Sequence, residues 1–223
     1  MTSVLFLAAA ALALIFAANL VQRYWASRAP VYAWWTLSFV LYAVAFLMES
    51  ATVSSNWHLQ WEYQLYIIAS AGLVGAMSVG TTYLALPRSK LPTGYAIYFV
   101  AAELTLAVFA LVNPPVLHGS WSALNAGKNA IVGPTQIVYL MLSAIGGPIV
   151  VFGALLSWWK TRQYYTLLIA IGALIPSAAG AFASQDVATT LFPLMNIFGL
   201  ILIFLGYLNA SPKSKNSPSK IAA

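Results

Sequence analysis

One carboxylate stands in the middle of an apolar run. Glu103 lies in FVAAELTLAVF, residues 99–109, about twelve residues into a stretch of about 22 that is long enough to cross a bilayer. A charge at that depth costs on the order of 2.5–3.5 kcal/mol. Protonation relieves the cost, because desolvation disfavours the charged form. A polar partner inside a bundle relieves it too. The helical neighbours of Glu103 are Ala96, Phe99, Val100, Leu106, Ala107 and Ala110. The alanines let another helix come close, so the carboxyl group is expected to point inward. Candidate partners at similar depth are Asn196, Tyr139, Ser143 and Ser177. Two readings follow. Glu103 is either a protonated packing device bonded to a neighbouring helix, or a proton-linked or ligand-contacting group in a cavity.

The remaining acids are Glu49, Glu62 and Asp186, and the histidines are His58 and His118. All five fall at predicted span ends or in loops on one side, as a rim of solvated interfacial groups. His58 and Glu62 form an HxxxE spacing, to which His118 could add a third ligand. That pattern is weak beside the several inward ligands a catalytic zinc site uses, and no metal or cofactor is expected. No histidine lies inside a span to hold haem, and no lysine lies inside one to carry a retinal Schiff base. There is no cysteine, which removes disulfides and thiolate chemistry. GxSxG, the phosphate-binding loop and the dinucleotide fingerprint are also missing. An enzyme is not expected.

The elements that must position these groups follow from composition. Of 223 residues, 61% are hydrophobic and 6% charged, with a mean hydropathy of +0.84. A soluble domain carries about 25% charged residues. Continuous apolar runs, rather than alternating ones, exclude a β-barrel. The class is an all-α polytopic membrane bundle. Seven spans are expected, at roughly 3–22, 30–50, 63–86, 91–113, 135–159, 163–184 and 188–209. They form one transmembrane domain, 1–209, with a short basic disordered tail at 210–223. No soluble signalling domain is expected on this tail.

Charge sets the orientation. Arg23, Arg28, Arg88, Lys90, Lys160, Arg162, Lys213, Lys215 and Lys220 fall on one side, and Lys128 alone falls on the other. Cytoplasmic loops are enriched in Lys and Arg, so the N-terminus is expected outside and the C-terminus inside. The first span has no basic residues ahead of it and reads as an anchor rather than a cleaved signal. The net charge of +6 is therefore a topology signal and a contact with anionic lipid, not a nucleic-acid surface. The eight tryptophans cluster at or near span ends, as an interfacial belt does.

Small residues mark packing seams. Gly72, Ala76 and Gly80 repeat every fourth residue in the third span, Gly172 and Gly180 belong to such a series in the sixth, and Gly199 and Gly206 share a face of the seventh with Asn196. Pro148, Pro176 and Pro193 lie inside spans five, six and seven. Each frees a carbonyl four residues back and bends its helix, which could splay one half of the bundle. The two halves of the chain do not match in proline, glycine or charge placement, so no internal repeat is evident.

The third span, YQLYIIASAGLVGAMSVGTTYLALPR, carries Leu65 and Tyr66, then Gly80, Thr81, Tyr83 and Leu84, then Pro87 and Arg88. It resembles a group of small, uncharacterised prokaryotic membrane proteins of about seven spans. The second span, WWTLSFVLYAVAFLMES, more loosely resembles the seven-span sensor modules ahead of some bacterial histidine kinases, although this chain carries no kinase. The resemblance implies a multi-pass protein of a prokaryotic cytoplasmic membrane and supplies no catalytic residues. The function expected is a non-enzymatic accessory or sensory component. It would bind lipid together with another membrane subunit, a second copy or a small extracellular ligand. The alternative is a small-solute or proton-coupled transporter using Glu103.

Overall fold

A computed structural model describes residues 2–55, 59–115, 117, 130–182 and 188–209. Among them the chain is all-helical. The helices are α1 (Thr2–Ser27), α2 (Pro30–Ser55), α3 (Gln60–Ala85), α4 (Leu91–Val112), α5 (Gly133–Thr161), α6 (Tyr164–Phe182) and α7 (Ala188–Asn209). Six are long and apolar enough to cross a membrane. The seventh, α6, has 19 residues and reaches about 28 Å at 1.5 Å per residue. The expected seven-helix bundle is present. Several helices run past their apolar cores: α1 continues beyond Arg23 to Ser27, and α2 beyond Glu49 to Ser55. The expected tail, 210–223, lies outside the described residues.

Helix starts and stops have local causes. Proline opens α2 at Pro30 and stands in the first turn of α4 and of α5, where its missing N–H is no loss. Two helices end on arginines in the left-handed region, Arg28 (φ 56°) and Arg162 (φ 54°). Each donates its backbone N–H to the carbonyl four residues back, Tyr24 at 2.7 Å and Trp158 at 2.6 Å. That conformation is uncommon for a residue with a Cβ. Each guanidinium lies over a tryptophan of its own helix, Trp25 at 4.6 Å and Trp158 at 5.4 Å, a favourable contact that offsets the backbone cost.

Around the bundle the neighbours run α1, α2, α3, α5, α6, α7 and back to α1, with α4 laid against α3 and α5. The closure between α1 and α7 is aromatic: Phe16 stacks on Phe204 at 3.7 Å, Phe6 meets Phe192, and Arg23 lies over the Tyr207 ring at 4.3 Å. α3 is the most enclosed helix and α4 the least.

The small-residue seams are contacts between helices. Gly80 faces the Trp35 indole, and Ala76 is fully buried. The tightest approach joins α6 to α7. A methyl group at Gly199 would meet the Gly172 carbonyl and the Pro176 ring, both at 2.6 Å, and one at Gly206 would meet the Tyr165 carbonyl at 2.6 Å. At the level of Pro176, therefore, α6 and α7 touch backbone to backbone rather than splaying. Pro193 is buried and Pro148 exposed. Gly180 belongs to α6.

Gly199→Leu is expected to destabilise the folded bundle by about 1–3 kcal/mol, the range for overpacking a tight contact. Gly147→Ala, where an added methyl meets nothing within 4 Å, is expected to be neutral or mildly stabilising. Thermal or denaturant unfolding of the purified protein reads both.

Candidate functional site

Antiparallel neighbours give the bundle two chemically different ends. Ser3, at the start of α1, bonds to Ser50 near the end of α2 at 2.7 Å, and Gln64, at the start of α3, donates to the Ala110 carbonyl near the end of α4 at 2.8 Å. Thr135, at the start of α5, donates to the Phe109 carbonyl at 3.2 Å. Glu49 and Glu62 belong to this end. Arg23, Arg28, Arg88, Lys90, Lys160 and Arg162, all the basic side chains among the described residues, belong to the opposite end.

Glu49 corrects the expectation of a solvated rim: it is 1% exposed. α2 continues for more than a turn beyond it, so the residue faces the bundle instead of the boundary. Helical spacing along α3 puts Tyr63, Tyr66 and Ser70 on one face (positions i, i+3 and i+7), and Tyr139 adds a phenol from α5. The Tyr66 hydroxyl is the group that interacts with the Glu49 carboxyl. Tyr63 and Tyr139 lie near enough to feel its charge, and Ser70, which donates to the Ile67 carbonyl at 3.1 Å, lies beside Tyr139. The Tyr63 and Tyr66 rings are 5.9 Å apart. Neither carboxyl oxygen receives a well-formed hydrogen bond. An acid, three phenols and a serine thus meet where α2, α3 and α5 converge.

Glu62 lies in the first turn of α3, half-buried, where a negative charge favours the positive end of the helix dipole. His58, His118 and Asp186 lie outside the described residues. Among the described residues no three His, Cys, Asp or Glu side chains come together as a metal site.

Glu103 points inward, on the face of α4 that buries Ala96, Phe99, Leu106 and Ala110. Its niche is a glycine. A methyl group at Gly72 would lie 2.8 Å from Oε1 and 3.0 Å from the Leu41 side chain. Both Glu103 oxygens are enclosed and make no hydrogen bond among the described residues. The expected polar partners are engaged elsewhere or lie apart. Asn196 accepts a hydrogen bond from the Tyr42 hydroxyl and donates to the Phe192 carbonyl at 2.8 Å. Ser177 donates to the Ala173 carbonyl at 2.9 Å. Tyr139 belongs to the Glu49 cluster, and Ser143 is half-buried on α5 without being brought to Glu103. The Tyr42–Asn196 pair, which ties α2 to α7 through the core, was missed. Tyr42 carried no sequence signal beyond being an aromatic residue in a span.

Burying a polar group without a partner costs about 1–3 kcal/mol. Replacing Glu103 with methionine, which fills a similar volume without polar oxygens, is therefore expected to raise stability by about 1 kcal/mol. A loss of stability in denaturant unfolding would mean that the carboxyl group has a partner. No family model matches this chain, and neither does any curated protein or solved structure.

Proposed function

We propose that the chain is a non-enzymatic sensory or accessory component of a membrane, answering to a small ligand from outside or to another membrane protein. The observation that carries this reading is the buried Glu49 with its phenols, gathered at the acidic end of the bundle. The excess of Lys and Arg at the opposite end supports placing that end in the cytoplasm, which leaves the Glu49 end facing outward. A prokaryotic cytoplasmic membrane fits the resemblance of α3 to small seven-span prokaryotic proteins. Burial of a carboxylate of α2 among hydroxyl groups from α3 and α5 couples whatever occupies it to the packing of the three helices, which is what a sensor needs. Native mass spectrometry of protein released gently from its own membrane tests this. Defined partner subunits, a second copy or a bound small mass are expected, and a bare monomer overturns the reading.

A transporter is the second reading, and Glu103 favours it: an intramembrane acid with both oxygens unbonded can take and release a proton. In proteoliposomes with an internal pH dye, an imposed gradient would then dissipate faster than in empty vesicles, and Glu103→Gln would abolish the difference. Equal rates for the two proteins would remove Glu103 from any transport step.

A further inference from the structure

The geometry points to a binding site for one monovalent metal ion, of sodium or potassium size, at the Glu49 carboxylate between α2, α3 and α5. This inference deepens the sensory reading and rests on it for the direction from which the ion enters. Glu49 is 1% exposed and lacks a well-formed hydrogen bond at either oxygen. A carboxylate so enclosed must be neutralised, because an unpaired buried charge is costly. Among the described residues, every lysine and arginine belongs to the opposite end of the bundle. What neutralises it is therefore a proton or a cation from outside the described side chains.

The chemistry of the neighbours selects its type. From α3 come Tyr63, Tyr66 and Ser70, and from α5 comes Tyr139. Every polar atom these side chains offer is oxygen. Oxygen donors suit hard cations, and nitrogen or sulfur ligands for a transition metal are not among them. A single carboxylate balances a single charge, whereas a divalent ion generally draws on more than one. Glu62, the other described acid of this end, is half-buried in the first turn of α3. A monovalent ion would draw α2, α3 and α5 together.

The test is thermal unfolding of the purified full chain, followed by tryptophan fluorescence, in sodium, potassium or choline chloride at equal ionic strength and constant neutral pH. A saturable rise in Tm is expected with sodium or potassium and not with choline, which is too large for the site. Glu49→Gln is expected to fold in choline and to lose the response. Tyr66→Phe is expected to keep it with the midpoint shifted about tenfold to higher ion concentration, a loss of about 1.4 kcal/mol. Equal responses in all three salts, or a response that survives Glu49→Gln, would overturn the site. Stabilisation by acid alone, with no salt response, would also overturn it, since a proton would then neutralise Glu49. If Glu49→Gln does not fold, sodium-23 line broadening by wild type against Tyr66→Phe decides, and equal line widths sink the proposal. Co-release of partner subunits is read independently, so failure of the ion site and failure of the sensory reading are separable.

Discussion

Helices surrounded by lipid gain little from hydrophobic burial against one another, so they must hold together by close contact and by polar bonds across interfaces. The bundle depends on that constraint, and α3 meets it for most of its neighbours. Its small residues admit the Trp35 indole from α2 at Gly80, the Phe99 ring from α4 at Gly75 and the Glu103 carboxyl at Gly72. Polar bonds reinforce the same contacts, with Ser38 donating to the Leu73 carbonyl at 2.7 Å and Ser78 paired with Tyr95 at 2.8 Å. Across the bundle, α6 and α7 solve the same problem with Gly172 and Gly199. The result is two aromatic-rich cores, one around α1, α2 and α7 and one between α3, α4 and α5.

The two buried acids occupy different settings in that packing. Glu103 presses on a glycine in an apolar seam, with Leu41 beside it. It resembles a misplaced polar residue accommodated by the absence of a side chain opposite. Glu49 has phenols and a serine gathered around it from two other helices. The first environment tolerates a carboxyl group, whereas the second supplies it with oxygen donors. That contrast is why the proposed site lies at the end of α2 rather than in the middle of α4.

Much of this was legible in the sequence. Long apolar runs broken by charged or Pro-rich links define the helices, because no other structure satisfies the backbone in lipid. The alanines flanking Glu103 showed that its face turns inward, and the glycine spacing showed where helices touch. The site at Glu49 was not legible, for two physical reasons. Its burial depends on α2 continuing to Ser55, and helix ends are weakly encoded. Its neighbours come from α3 and α5, and nothing local in the sequence says that α5, rather than α4, completes the ring beside α3. The pairing of Tyr42 with Asn196 was hidden for the same reason, since it follows from α7 returning close to α2.

The stacking of Phe16 on Phe204 has a consequence for biogenesis. α1 and α7, the first and last of the described helices, are side by side, so the ring stays open until α7 has been made. Until then α1 has only α2 to lean on, and its second flank is covered by lipid. Closure of the bundle therefore waits for α7. A nascent chain that has not yet made α7 leaves its inner face, including the Asn196 partner Tyr42, open to the membrane.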